Sequence, residues 1–236
     1  MTREAPKLSV PAGGAYGNGT VPDIPELVPL RQILSDLLAW LTETRVPGII
    51  IGGVAASLLG RPRLTRDVDV LVMLDAEKWE AFLTQGRKFG FVARGEDALA
   101  FARKHRVLLV RHVPSHLDAD LSFAALPFEE EAIARPVRMD LGGLRLPLPT
   151  PEDLLIMKAV AHRPRDLLDV EAILEAHPRL DRRRVRSWVK QFAEALEAPE
   201  ILAGLNDIFR RATTSRRVKK RNPSDRPGGG TGTKDK

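Results

Sequence analysis

Two aspartates at alternate positions of an apolar segment are the residues best placed to do chemistry. Asp67 and Asp69 lie in the run Asp-Val-Asp-Val-Leu-Val, and residues i and i+2 of a strand project from the same face. Carboxylates about 6 Å apart repel by roughly 3 kcal/mol at an effective dielectric near 20. A divalent metal ion is the simplest compensation, so this spacing predicts a metal platform. The alternative is an exposed polar strand face that pairs with Arg63 or Arg66.

A glycine pair precedes this strand and is predicted to open a short helix. Gly52 and Gly53 let the backbone approach phosphate oxygens at a point where the free N–H groups and the dipole of a helix favour anions. The alternative is a plain turn from a strand into a helix. Arg66 is predicted either to reach a triphosphate or to pair with a neighbouring carboxylate. Arg61 and Arg63 are predicted to be solvated.

Three segments in a fixed order resemble the nucleotidyltransferase fold of the DNA polymerase beta superfamily, and most of all its AbiEii-like group. They are the Gly-Gly-x-Ala opening at 52–55, the Arg-x-Thr-x-Asp-x-Asp run at 63–69, and a lysine at 158 followed by Arg-Asp-x-x-Asp at 165–169. The resemblance covers residues 45–175. Members of that group are toxins of abortive-infection and toxin–antitoxin systems, along with many unassigned relatives. One departure is Val54, where many superfamily members carry a serine or threonine near the phosphates.

The resemblance implies a magnesium (or manganese) site formed by Asp67, Asp69 and a third carboxylate on a neighbouring strand. The segment Leu-Asp-Ala-Asp-Leu offers Asp118 and Asp120, which share one face by the period of two. Asp120 is assigned as the third ligand because it lies deeper in the apolar segment and matches the hydrophobic-Asp-Leu pattern of the family. Asp118 is the alternative. All three ligands are also predicted to be catalytic.

Lys158 and Asp166 are the remaining candidates of the implied site. Lys158 lies in the otherwise apolar run Leu-Leu-Ile-Met-Lys-Ala-Val-Ala and resembles the lysine that the family directs at the nucleotide phosphates. It is predicted to be catalytic and nucleotide-binding; the alternative is an ordinary surface lysine. Asp166 and Asp169 fall on one helix face, and Asp166 is predicted to line the nucleotide cleft. Its alternative is helix capping with pairing to a nearby arginine.

Composition bounds the cellular context. The chain has 236 residues, no cysteine and a formal net charge of +6. There is no stretch of about 18 apolar residues and no apolar segment behind the charged N-terminus, so neither a membrane span nor a signal peptide is predicted. The absence of cysteine fits a reducing cytoplasm. Ten of the basic residues and two aspartates lie in 210–236, a segment predicted either to grip RNA or to act as a solubilising end.

The order of the predicted elements indicates an α/β fold. A small mixed, twisted, nucleotidyltransferase-like sheet with flanking helices is followed by a helical C-terminal part. The predicted organisation is a disordered segment over 1–24, the α/β domain over 25–148, the helical part over 149–209 and a basic disordered tail over 210–236. Thr150 and Pro151 are predicted to begin the helix that carries the lysine at 158.

The predicted function is magnesium-dependent transfer of a nucleoside monophosphate from a nucleoside triphosphate to an acceptor hydroxyl. By resemblance, the acceptor is an RNA end such as that of tRNA, and a cognate antitoxin is an implied partner. A protein hydroxyl or a small molecule is an alternative acceptor. The competing class is a non-catalytic binding or regulatory module of the same fold. The five histidines have no zinc-hydrolase spacing, and neither a serine-hydrolase elbow nor a nucleotide-loop motif is present.

Overall fold

The computed structural model describes residues 28–63, 65 and 67–221, the last seven of them as backbone only. The predicted disordered segment over 1–24, the predicted nucleotide-binding residue Arg66 and positions 222–236 lie outside the described residues.

Five strands form the main sheet, in the order β1-β2-β5-β4-β3. They are β1 (Gly48–Ile51), β2 (Asp67–Val72), β3 (Phe91–Ala93), β4 (Val107–His112) and β5 (Leu117–Phe123). β2 and β5 pair in parallel, whereas the other three pairings are antiparallel. A separate hairpin consists of β6 (Val137–Leu141) and β7 (Leu144–Leu148). The mixed sheet agrees with the predicted α/β class.

Nine α-helices flank the strands within the described part of the chain. They are α1 (Val28–Thr44), α2 (Gly52–Leu59), α3 (Trp79–Gly86), α4 (Ala98–His105), α5 (Pro127–Ala134), α6 (Pro151–Ala161), α7 (Pro164–Ala176), α8 (Arg182–Ala195) and α9 (Pro199–Arg221). Short 3-10 turns at Ala76–Lys78 and Arg87–Phe89 flank α3. No helix within the described ranges is both long and apolar enough to cross a membrane.

Alternation along β2 separates the core from the acidic face. Val68, Val70 and Val72 are fully buried, while Asp67 and Asp69 occupy the alternate positions. The valines belong to a hydrophobic core that continues from α1 through the sheet to α9. The strand is therefore held by its apolar face, and the acidic face is left for other contacts.

The N-terminus of α6 forms as predicted. The Asp153 N–H donates to Thr150 Oγ1 at 3.2 Å, and Pro151 takes the first helical position, where its missing N–H costs nothing. The Thr150 hydroxyl also donates to Asp153 Oδ2 at 2.7 Å. These two bonds fix the start of the helix that carries Lys158.

The predicted start of a disordered tail at residue 210 is wrong. Helix α9 runs from Pro199 to Arg221 and so continues past the predicted end of the helical part at residue 209. Its buried residues recur at helical spacing, at Ile201, Leu205, Ile208 and Phe209. This apolar stripe packs into the core, and basic residues near a helix C-terminus are favoured by the helix dipole. The basic residues between 210 and 221 therefore lie on a helix.

Candidate active site

The parallel pairing of β2 with β5 brings two pairs of aspartates side by side. Asp67 lies opposite Asp118, and Asp69 lies opposite Asp120. Register partners on adjacent strands share a face, so all four carboxylates lie on one side of the sheet. The predicted ligands Asp67, Asp69 and Asp120 are thus neighbours on that face.

Asp69 is seated against the glycine pair at the start of α2. Gly52 has a φ of +62°, and a Cβ there would lie 1.8 Å from Asp69 Oδ2. Only glycine combines this backbone conformation with that approach. The Gly53 N–H donates to the Asp69 carboxylate. The glycine pair, which is predicted to cradle phosphate, therefore also leaves space for the Asp69 carboxylate and donates a hydrogen bond to it.

Thr65 links the same turn to Asp67. Its hydroxyl donates to Asp67 Oδ1 at 2.9 Å, and a Cβ on Gly53 would come within 2.7 Å of Thr65 Oγ1. The threonine of the Arg-x-Thr-x-Asp-x-Asp run thus packs over Gly53 and orients the Asp67 carboxylate.

Burial and repulsion from neighbouring carboxylates raise the pKa of Asp69 and of Asp120. For Asp69, burial is the main cause and the charge of Asp67 adds to it, while the Gly53 N–H and the charges of Lys158 and Arg163 oppose it. For Asp120, burial again dominates; Arg94 opposes the rise, and the other aspartates of the face add to it. A cation at this face would remove that repulsion.

Two arginines neutralise Asp118. Arg111 donates from Nε to Asp118 Oδ1 at 2.8 Å, and Arg94 donates from Nη1 to Asp118 Oδ2 at 2.9 Å. The hydrogen bonds from Arg111 and then Arg94 hold the pKa of Asp118 below its usual value despite burial. The other arm of Arg94 donates to Asp120 Oδ1. Asp118 is therefore saturated by guanidinium groups, whereas Asp120 has one such partner.

Lys158 lies in a buried charge cluster beside this face. It is only 6% exposed, and Nζ donates to Asp166 Oδ1 at 2.9 Å and lies 3.0 Å from Asp169 Oδ2. The surface-lysine alternative is wrong. Asp166 also accepts from Arg163, so its pairing alternative is observed. Burial opposes it, but the hydrogen bonds from Arg163 and Lys158 hold the pKa of Asp166 below its usual value.

Arg63 is not solvated, contrary to the prediction. Its Nε and Nη2 donate to the two oxygens of Asp169 at 3.2 and 3.0 Å. This contact forms because α7, which carries Asp169, packs against α2, and Arg63 follows α2 in the chain. Arg61 agrees with the prediction, since its side chain is 77% exposed and pairs with Glu175, which is 69% exposed. The alternative in which Arg63 pairs with the acidic pair of β2 is therefore not observed.

The donor set of the acidic face fits a hard divalent cation, because carboxylate oxygens are the ligands that Mg²⁺ and Mn²⁺ prefer. Within the described ranges, no three histidine, aspartate or glutamate side chains converge closely enough to hold a metal ion. Asp69 is turned to the glycine pair and Asp120 is turned to Arg94. The chemistry of the ligands is present, and their side chains are engaged with other residues of the chain.

Sequence reasoning missed three residues that touch the site. Arg63 opens the Arg-x-Thr-x-Asp-x-Asp run and Thr65 is part of it, so both had a signal. Arg94 belongs to no motif. It reaches the acidic face only because β3 and β4 pair, and because its N–H donates to Leu109 O at 3.0 Å, in the strand beside Asp120. That placement depends on the strand order, which the sequence does not state.

Comparison with known proteins links this geometry to one family. The model of the family described as "Nucleotidyl transferase AbiEii toxin, Type IV TA system" matches residues 49–225. That range contains the glycine pair, both acidic strands and the buried charge cluster. A search of curated proteins found no match.

Several solved structures resemble the chain. An antigenic nucleotidyltransferase-like protein from Paracoccidioides brasiliensis is 17% identical, with 75% of this chain and 92% of that one covered at a TM-score of 0.47. The antibiotic-resistance factor ANT(2'')-Ia is 18% identical, with coverages of 72% and 95% and a TM-score of 0.48. The lincosamide antibiotic adenylyltransferase LnuA, bound to lincomycin, is 14% identical, with coverages of 62% and 96% and a TM-score of 0.45.

Proposed function

The chain belongs to the AbiEii nucleotidyltransferase family, and we propose that it moves a nucleoside monophosphate from a nucleoside triphosphate to an acceptor hydroxyl with the help of Mg²⁺ or Mn²⁺. The observation that carries this proposal is the register of β2 and β5, which sets Asp69 beside Asp120 and next to Gly52 and Gly53. Nucleotidyl transfer needs carboxylates and phosphate-binding backbone in this kind of proximity.

The reaction forms one bond and breaks another. The acceptor oxygen attacks the α-phosphorus, the bond from that phosphorus to the bridging oxygen of the β-phosphate breaks, and pyrophosphate leaves with the electron pair. Asp120 takes the hydroxyl proton in this scheme, because its register with Asp69 sets its carboxylate beside the proposed cation site. When bound, a divalent cation neutralises the triphosphate and stabilises the attacking and leaving oxygens.

The residues divide the work. Asp67, Asp69 and Asp120 would hold the cation, and Gly52 and Gly53 would present backbone N–H groups to the phosphates. Val54 is buried and brings no hydroxyl to that turn.

The positive side of the site comes from the cluster beside the acidic face. Lys158 and Arg163 are near enough to lower the pKa of Asp69 by their charge, and the Arg163 side chain is 73% exposed. We assign both to the triphosphate, Lys158 as a fixed buried charge and Arg163 as the group that contacts it. Asp166 accepts hydrogen bonds from both side chains and so orients them. Arg66 is assigned to the nucleotide from its place next to Asp67 in the sequence.

The cellular role extends the same proposal. The acceptor is an RNA end, such as that of tRNA, which the basic residues after position 210 attract electrostatically. The protein acts as the toxin of a toxin–antitoxin or abortive-infection pair, and a cognate antitoxin protein holds it in check. It works in the cytoplasm, where nucleoside triphosphates and RNA ends are available. The family description supports the toxin role.

Labelled nucleotide transfer tests the proposal. Each of the four α-labelled nucleoside triphosphates is incubated with the protein, Mg²⁺ or Mn²⁺, and separate RNA, protein and small-molecule pools. We expect label in RNA, lost in Asp67→Asn and Asp69→Asn but kept in the control Asp75→Asn, whose exposed carboxylate pairs only with Lys78 among described contacts. Label in another pool reassigns the acceptor. Nucleotide binding without label in any pool identifies a non-catalytic module.

A further inference from the structure

Paired residues form two neighbouring rows across the sheet, and within the described part of the chain Arg94 is the one side chain that bonds an aspartate in each. One row contains Arg94, Leu109, Asp120 and Asp69, and Arg94 joins it through the bond from its N–H to Leu109 O. The next row contains Arg111 and Asp118. The guanidinium donates to Asp118 from Nη1 and to Asp120 from Nη2. One cation therefore bridges a carboxylate outside the proposed metal set and one inside it.

The two contacts of Arg94 are unequal in what they leave behind. Asp118 keeps both oxygens bonded to Arg111, at 2.8 and 3.2 Å, whatever Arg94 does. Asp120 has no second cation bonded to it among the described residues. One arm of Arg94 thus bonds Asp118, which Arg111 also bonds. The other arm bonds Asp120, which has no other cationic partner among the described residues.

The position of the guanidinium is set by those two carboxylates. Arg94 Nε is buried and has no hydrogen-bond partner in the described structure. Its backbone N–H donates to Leu109 O at 3.0 Å, which places the residue beside β4. The aspartates of the face are bonded directly by two guanidinium groups, those of Arg94 and Arg111.

We propose that Arg94 is an internal competitor for the metal site: it holds Asp120 in the cation-free protein, and Asp120 must leave it for a divalent cation to bind. This inference rests on the proposed function, since it assumes that Asp120 is a metal ligand. Arg94 is accordingly a positioning residue. It stabilises the acidic face when no cation is present and lowers the affinity of the face for one.

The test measures Mn²⁺ binding to the purified full chain by electron paramagnetic resonance, together with melting temperature with and without Mn²⁺. Arg94→Met keeps the alkyl stem and removes the bridge. We expect it to tighten the Mn²⁺ dissociation constant about tenfold, the effect of losing one charged hydrogen bond of about 1.4 kcal/mol. Without Mn²⁺ its melting temperature should be lower than that of the wild type. Adding Mn²⁺ should raise the melting temperature of Arg94→Met by more than it raises that of the wild type.

Arg111→Met is the matched control, because it removes the same charge from the same Asp118 but does not touch Asp120. We expect less than about a threefold change in its Mn²⁺ affinity. Arg94→Lys, which cannot span both carboxylates, should lie between the wild type and Arg94→Met and serves if the methionine variant does not fold. Unchanged or weaker Mn²⁺ binding in the Arg94 variants, or equal tightening in Arg111→Met, overturns the inference.

These results are separable from the proposed function. An active wild type whose Mn²⁺ affinity is indifferent to Arg94 refutes the competitor role alone. A wild type that labels no acceptor pool refutes the transfer reaction, and binding that tightens in Arg94→Met then still supports the competition. If neither the wild type nor Arg94→Met binds Mn²⁺, the competition is refuted.

Discussion

The surroundings of Asp69 both oppose and support its charge. Burial and the charge of Asp67 disfavour the ionised carboxylate, whereas the hydrogen bond from the Gly53 N–H favours it. The missing side chain of Gly52 leaves the space that the carboxylate occupies. A residue kept in an environment that opposes its charge is a candidate for function rather than for stability. Substitutions at this point should therefore separate folding from activity.

Gly52→Ala should abolish nucleotidyl transfer and destabilise the protein. A Cβ would collide with Asp69 Oδ2 at 1.8 Å, and φ is +62°. We expect a loss of about 2–4 kcal/mol in the free energy of unfolding, more than the 1–2 kcal/mol of the left-handed conformation alone. Gly143→Ala is the control, since φ is +86° there but nothing lies within 4 Å. Urea melts compare the two, and equal losses would show that the Asp69 contact costs nothing.

Asp69→Asn should stabilise the cation-free protein at pH 7 and not at pH 4. The folded-state pKa of Asp69 is raised above its usual 3.8, so its stabilising contribution is present below that value and is lost as pH rises through the folded pKa. The asparagine escapes this loss, and its advantage should grow from pH 4 to pH 7. Urea melts across that range measure it.

Asp118→Asn supplies the opposite sign on the same face. Its pKa is lowered by hydrogen bonds from Arg111 and Arg94, so its contribution is present above the usual value and is lost as pH falls through the folded pKa. This variant should be less stable than the wild type at pH 7. If Asp69→Asn and Asp118→Asn changed the free energy of unfolding in the same direction at pH 7, the environments assigned to the two carboxylates would be contradicted.

Lys158→Met should cost stability as well as triphosphate use. The lysine is buried, and its loss leaves Asp166 with Arg163 and Asp169 with Arg63 as remaining partners. We expect about 3 kcal/mol, the lower end of the range for breaking a buried pair. At a temperature where the variant is folded, KM for the triphosphate should rise with little change in Mn²⁺ affinity.

The exposed pair of Arg61 and Glu175 provides the comparison for Lys158→Met. Both side chains are largely exposed, so Arg61→Met should change the free energy of unfolding by less than about 1 kcal/mol. A Lys158 variant as stable as this one would mean that the buried cluster contributes nothing to the fold.

At the scale of elements, the apolar spacing predicted β2, β5 and the start of α6, because buried strands and helix caps leave local signals at Val68, Val70 and Thr150. The choice between Asp118 and Asp120 was open to local reasoning only through depth in the strand. The structure adds the partners, which the sequence lacks: Asp118 is bonded by Arg94, which directly follows β3, and by Arg111 of β4. The C-terminal half of α9 was missed because its basic residues resembled a solvated tail.

Thr150→Ala tests how far the start of α6 supports the site. The substitution removes the cap on the Asp153 N–H and the bond to Asp153 Oδ2, and we expect a loss of about 1–2 kcal/mol in the free energy of unfolding. Thr150→Ser keeps the hydroxyl and should lose less than half of that. Chemical denaturation measures both, and an alanine variant as stable as the serine one would contradict the capping role.

At the scale of the whole molecule, charge is distributed unevenly along the last helix and beyond it. Seven basic residues and no acidic ones lie in 210–221, most of which is the C-terminal half of α9, whereas 222–236 has three basic and two acidic residues. If electrostatic attraction to RNA operates here, most of it must come from the segment inside α9, and the end of the chain contributes little.

Removing residues 222–236 should therefore leave tRNA binding within about twofold of the wild type, because it deletes a net charge of only one. Replacing Lys219, Lys220 and Arg221 with glutamine deletes three charges. If each contacts a phosphate, the slope of log K against log salt should fall by about two, since single-stranded contacts contribute roughly 0.7 each. Fluorescence anisotropy with labelled tRNA between 50 and 200 mM salt, typical for such titrations, measures both. A truncation that weakens binding more than the triple substitution would assign RNA attraction to the end of the chain, as the composition of 210–236 first indicated.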